Sequence, residues 1–415
     1  MHGQAWSVPD KTDTPTRYWA GTHRLVAPAQ TLETVRRFFP VMGITRVADI
    51  TGLDTIGLPV IAVCRPNSRS VVVSLGKGLD PMAARASGVM ESIEAFMAER
   101  IVRPLIIGSV NDLRFSHRLV DVDLIPRTSD SLYHPDFPLL WIEGQGLMSQ
   151  TRIWVPYELV HTAYTLPAPT GTGCFIATSN GLASGNHLLE AISHGICETV
   201  ERDADTLHSL RTPEEKARRM VDQRTVDNAG CREALDRLDR AGMAVAIWDM
   251  TTDIGIPAFR CLIAEGDERP ARMRRGSIGM GCHPDRGIAL LRALTEAAQV
   301  RLAVISAVRD EPEHLDRHDD VDPETLREQQ AELAGEATRD FTEVPAYVSD
   351  SIDQDVAWEL DALRAVGISE VVAVDLTREE FGVAVVRVIV PGLEGPTGIV
   401  SCLLGPRATS VIGSR

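Results

Sequence analysis

Ala191-Ile192-Ser193-His194-Gly195-Ile196-Cys197-Glu198-Thr199-Val200-Glu201 has the apolar spacing of a helix and an acidic face, and the chain repeats the pattern twice. The copies are Ala84-Arg85-Ala86-Ser87-Gly88-Val89-Met90-Glu91-Ser92-Ile93-Glu94 and Ala289-Leu290-Leu291-Arg292-Ala293-Leu294-Thr295-Glu296-Ala297-Ala298-Gln299. Residues three or four apart on a helix share a face. Glu91 therefore neighbours Glu94, Glu198 neighbours Glu201, and Glu296 neighbours Gln299. Ser87, His194 and Arg292 stand one turn earlier on the same faces, and Glu190 extends the second stripe. Small and aliphatic residues fill the gaps, which is the composition of buried helices. A buried carboxylate is costly unless it is paired or metal-bound.

A single Glu-x-x-Glu is ordinarily a solvated helix edge. Three of them, each on a small-residue helix, point instead to faces that converge and need counter-charge. Hard divalent cations supply it, and Mg²⁺ normally arrives with substrate phosphates. Lys77, Arg85, Arg202, Arg292 and Arg301 are the basic residues offered for phosphate oxygens.

Working outward, each helix follows a glycine-rich passage: 74–78, 179–186 and 276–281. These read as turns, and a helix N-terminus behind such a turn attracts anions. None is a P-loop or a GxGxxG fingerprint. Further helices are expected over 31–39, 226–241 and 356–365, beside the long ones at 81–100, 187–210 and 287–308. Residues 60–64 and 70–75 form a hairpin about Pro66-Asn67, and strands follow at 245–248, 258–263, 371–375 and 383–390. The charged stretch 309–340 reads as an exposed insertion or lid. Hairpin-like strand pairs favour an α+β fold with mixed or antiparallel sheets over a doubly wound one. The expected division is an N-terminal extension over 1–57, one large domain over 58–395 and a tail over 396–415.

The formal net charge of -16 argues against a nucleic-acid partner. Seven scattered cysteines without a CxxC pair fit a reduced cytoplasm and no zinc cage. No stretch reads as a signal peptide or a membrane span, so a cytoplasmic location is expected. Cys174 reads as a small buried hydrophobe. His194 reads as a core histidine or a carboxylate partner rather than a metal ligand.

Several of these segments resemble the YcaO-domain family. Gly76-Lys77-Gly78 with Ser87 and Glu91-x-x-Glu94 is similar to its first nucleotide motif. The run 177–186 with Glu190 and 198–204 is similar to the second, the run 292–302 to the third, and 388–394 to the C-terminal strand and turn. The resemblance covers about 58–395. It implies an ATP-binding fold in which Glu91, Glu94, Glu190, Glu198 and Glu201 hold Mg²⁺ and phosphates. Lys77, Ser87, Asn186, Arg202, Arg292, Glu296 and Gln299 would contact the nucleotide, with Glu91, Glu201, Arg202 and Arg292 nearest the chemistry. Family members phosphorylate a peptide-bond oxygen, and the nucleophile then decides between azoline, thioamide and amidine.

The chain looks most like the TfuA-associated, thioamide-forming subgroup. Azoline-forming members often end in alternating prolines, which Ser410-Val411-Ile412-Gly413-Ser414-Arg415 lacks. The implied partners are a peptide or protein substrate, a sulfide donor, a TfuA-like protein and a second copy of the chain. A non-catalytic peptide-binding scaffold is the alternative from another class.

Overall fold

The computed structural model describes residues 14–15, 17–19, 21–265, 276–307, 323–396 and 402–413. Its strands are β1 (Arg17–Trp19), β2 (Thr22–Arg24), β3 (Arg46–Asp49), β4 (Val60–Cys64), β5 (Val73–Lys77), β6 (Leu105–Gly108) and β7 (Leu139–Gly146). There follow β8 (Arg152–Pro156), β9 (Leu182–Gly185), β10 (Met243–Asp249), β11 (Ala258–Glu265), β12 (Ser277–Cys282), β13 (Val372–Asp375) and β14 (Ala384–Ile389). The longer helices are α1 (Pro28–Arg36), α2 (Pro81–Ala98), α3 (Leu188–Ser209), α4 (Ala229–Arg240), α5 (Arg286–Ile305), α6 (Pro323–Leu333), α7 (Ile352–Ala365) and α8 (Pro406–Gly413).

The strands form a six-stranded sheet of order β6-β7-β13-β14-β9 with β8 on β7, and two three-stranded sheets, β3-β4-β5 and β10-β11-β12. A small hairpin, β1-β2, stands apart from them. Every pairing between these strands is antiparallel. The fold is therefore α+β, as the hairpin-like spacing predicts. Each sheet carries one acidic helix: α2 lies on β4 and β5, α3 on β9 and β14, and α5 on β11 and β12. One apolar core joins α2 to the large sheet through Ile93, Phe96, Trp141 and Val385. A second lies under α3 and α7, and a third fixes α4 and α5 to the β10-β11-β12 sheet.

Of the glycine-rich passages, only the second makes a turn, over 179–182, closed by Leu182 N–H donating to Ser179 O at 2.8 Å with Gly181 at φ +78°; the others are mostly strand. Gly76, Gly185, Gly279 and Gly281 lie within strands. A Cβ on Gly76 would stand 2.1 Å from Ala84 O and Gly88 N; one on Gly279 would stand 2.2 Å from Ala293 O and Ala297 N. These glycines exist so that each acidic helix can lie almost on the strand backbone before it. The helix N-termini are also occupied. Asp80 accepts from the N–H groups of Met82 and Ala83, Asp285 from those of Gly287 and Ile288, and His187 from that of Leu189. The phosphate-cradle reading is thus corrected at α2 and α5, where two first-turn donors each are already taken by the capping aspartate, while at α3 the cap takes Leu189 N–H alone.

Of the charged stretch 309–340, residues 309–322 lie outside the described residues, as do 1–13 at the other end. The described remainder is docked, with Gln329 Oε1 of α6 accepting from Gly276 N–H at 3.0 Å. Among the described residues no helix is long and apolar enough to cross a membrane.

Candidate functional site

Where the three acidic helices meet there is a cavity of about 570 Å³, a size that suits a small ligand. Lys77, Ser87, Glu91, Glu94, Asn186, Glu190, Glu198, Glu201, Arg202, Arg292, Glu296 and Gln299 all line it. The helical echo thus brings together every residue it singled out, from three different sheets. Arg85 and Arg301 do not join them. Arg85 is exposed, and Arg301 is held elsewhere by Asp54 (2.8 Å) and Glu265. Both are withdrawn as phosphate ligands.

The acidic side is under electrostatic stress. Burial lifts Glu94 to about 8 despite the hydroxyl of Ser184, which donates to its Oε1 at 2.5 Å. Burial lifts Glu198 to about 7 against the pull of Arg202. Glu201 is raised for the same reason. It is 2 % exposed, its Oε1 lies 3.3 Å from Arg202 Nη2, and its Oε2 has no partner. Glu296 goes the other way. Burial works to raise it, but Lys77, Arg202 and Arg292 outweigh burial, and Lys77 Nζ is bonded to its carboxylate. The Lys77 side chain thereby ties β5 to α5.

The basic side is organised by neutral partners. Arg292 Nη2 donates to His194 Nε2 at 3.0 Å. Burial and then the charge of Arg292 hold His194 well below its ordinary pKa, so the ring is neutral and can accept. Of the two roles the sequence suggests for His194, core histidine and carboxylate partner, the second is corrected: its partner is an arginine. Glu190 differs from the other acids. It is fully buried; its Oε1 accepts from Leu25 N–H, and its Oε2 from Asn186 N–H at 2.7 Å. Thr31 donates to Asn186 Oδ1 at 2.9 Å.

Sequence reasoning missed His23, Arg24, Thr31, Ser184 and His283, all of which line the cavity. His23 and Arg24 lie on β2, three residues long and without periodicity, so no pattern flags them. Arg24 nonetheless acts on Glu94 and His194 through its charge.

Among the described residues no group of three or more His, Cys, Asp or Glu forms a ready metal cage. Mg²⁺ does not require one, since it keeps waters and takes one or two carboxylates plus phosphate oxygens. The partnerless buried oxygen of Glu201 and the burial-raised Glu94 and Glu198 are what such a cation would relieve. Lys77, Arg202 and Arg292 on the opposite side suit phosphates. The residues present fit a magnesium-bound nucleotide.

The family model described as "YcaO cyclodehydratase, ATP- and Mg²⁺-binding" matches residues 75–394. An "uncharacterized protein in tfuA 3' region" of Rhizobium leguminosarum bv. trifolii is 38% identical over 400 residues, 94% of this chain and 93% of that one. Among solved structures, "YcaO from Methanopyrus kandleri bound with AMPPCP and Mg²⁺" superposes with a TM-score of 0.73 at 23% identity, covering 92% of this chain and 95% of that one. A "heterocyclase in complex with substrate and cofactor" gives 0.76 at 23% identity and covers 93% of this chain. This chain spans about half, 54%, of that heterocyclase.

Proposed function

Because this chain belongs to the YcaO family, whose cofactors are ATP and Mg²⁺, we propose that it activates a backbone amide of a peptide or protein by O-phosphorylation so that sulfur replaces oxygen. The observation that carries the ATP-dependent step is the convergence of three acidic helices on one cavity, one of whose lining residues, Glu201, has a buried Oε2 without a hydrogen-bond partner. The choice of sulfur is supported by the relative named for its place beside tfuA. On this reading a sulfide donor and a TfuA-like protein are the partners.

Bound Mg-ATP supplies the phosphoryl group that turns a poor leaving group, the amide oxygen, into a good one. The protein's own work is positioning and charge neutralisation, as for phosphoryl transfer in general. We assign the cation to Glu91, Glu94, Glu198 and Glu201. Lys77, Arg202 and Arg292 take phosphate charge, and His194 aims Arg292 by accepting from it. Lys77 and Glu296 are paired until that charge arrives. Ser87 and Gln299 stand among the nucleotide contacts. Glu190, with N–H donors on both oxygens, serves as the clamp that fixes Asn186 rather than as a ligand in its own right.

The test is a reaction containing Mg-ATP, sulfide and candidate peptide, followed by mass spectrometry. Thioamidation shifts the product by the difference between sulfur and oxygen, whereas azoline formation loses water. Glu201→Gln should abolish turnover and weaken Mg-dependent nucleotide binding by about tenfold or more, the scale of one charge-assisted contact. Unchanged binding and turnover in this variant would sink the site assignment; loss of water would replace sulfide by a side-chain nucleophile.

A further inference from the structure

Behind the nucleotide cavity lies a second, much smaller one of about 70 Å³. Its walls include Leu159, Ile176 and Val388, with Asn180, Thr199 and Arg387 as polar members. Arg387, on β14, is 3 % exposed. Its Nη2 donates to Thr178 O at 2.7 Å, but Nε and Nη1 have no partner. A buried guanidinium with two idle donors is expensive, and nothing in the nucleotide chemistry above uses it.

The two cavities share a wall one residue thick. Along the segment that turns into β9, Ser179 lines the large cavity while Thr178 and Asn180 line the small one. On α3, Glu198 faces the large cavity and Thr199 the small one. The charges of Arg387 and Glu198 act on each other across this wall. Once a metal cation takes up the charge of Glu198, Arg387 is left as a buried cation with only a carbonyl for company.

The volume is too small for a nucleotide or a peptide, and the donors are too few for an oxyanion, whose several oxygens each seek hydrogen bonds. A small, soft, monovalent anion suits apolar walls and two N–H groups. The Asn180 Oδ1, buried and without a partner, adds an acceptor. A halide cannot satisfy that acceptor, but a species carrying its own S–H can.

We infer that the Arg387 pocket is the berth of the incoming nucleophile, hydrosulfide, held against the wall of the nucleotide cavity until the amide is activated. The inference rests on the thioamide reading for its ligand, but not for the existence of an anion site. Hydrosulfide accepts from the guanidinium and donates to Asn180, and its occupancy rises when Mg-nucleotide engages Glu198.

Bromide, similar to hydrosulfide in charge and softness, is the probe. Crystals of the full chain soaked in bromide should show an anomalous peak beside Arg387 Nε and Nη1. The peak should be stronger with a non-hydrolysable ATP analogue and Mg²⁺, weakened by added sulfide, and absent in Arg387→Met. Arg387→Lys keeps the cation if the methionine variant does not fold. In steady state it should raise KM for sulfide about tenfold, the cost of a misplaced charged donor, and leave KM for ATP within about twofold. A merely structural arginine would lower kcat or stability and leave KM for sulfide unmoved. Absence of the peak, its persistence in Arg387→Met, its indifference to sulfide, or an unchanged KM for sulfide each overturns the proposal. Bromide and sulfide binding without sulfur in the product would uphold the anion berth and overturn the thioamide reaction instead.

Discussion

Glu94 shows how much the cavity costs a single side chain. Half-buried beside Glu91 and Glu198, its carboxyl is pushed up to about 8 from the ordinary 4.5, mainly by desolvation. A carboxyl whose folded pKa is raised keeps its proton in the native state at a pH where the unfolded chain has lost it, so stability falls as pH rises through that window. His194 and His283, held below their ordinary 6.5 mainly by burial, act in the opposite sense below that pH. The clean window is therefore from 6.5 to about 8. Thermal melts of the ligand-free protein should fall across it, Glu94→Gln should flatten the fall, and Mg-nucleotide should do the same. A flat wild-type profile would contradict the buried-charge account. Residues of this kind were legible because helical spacing marks them. Arg24 and Arg387 were not, since a basic residue on a strand carries no spacing signal. Their roles appear only when burial and partners are known.

At the scale of elements, the unit is a glycine-bearing strand with an acidic helix laid on it: β5 with α2, β9 with α3, β12 with α5. The helices could be read from their period, and the bounds differ from the expected ones by a few residues. The strands were misread as turns because glycine and serine punctuate loops far more often than they thin a strand. Close approach is a tertiary fact, and only the neighbour's backbone reveals it. Gly279→Ala should therefore push α5 off β12 and cost about 3 kcal/mol, the upper part of the usual range for overpacking. It should also weaken nucleotide binding, because Glu296 and Gln299 ride on that helix. Gly52→Ala, with nothing within 4 Å of the added methyl, should stay within about 0.5 kcal/mol. Urea unfolding of the two variants checks both figures, and equal costs would refute the packing argument.

At the scale of the whole molecule, no single sheet owns the cavity. Its lining runs from Gly21 to Ile352 in the chain, and the α+β class could be read from hairpin spacing while the meeting point of the sheets could not. A ligand that touches all three helices staples three sheets at once. At a hundredfold excess over its Kd, a Mg-bound, non-hydrolysable ATP analogue should stabilise the protein by about 2.7 kcal/mol. Hydrogen exchange should slow in β5, β9 and β12 together. Protection confined to one of them would mean that the helices do not share the ligand. The Lys77–Glu296 pair closes the same loop without a ligand, across 219 residues of sequence. For a ribosome, which delivers the lysine long before its glutamate, the consequence is one of timing. ATP has nothing complete to bind while the chain is being made, so it acts as a client of the finished fold and never as its template.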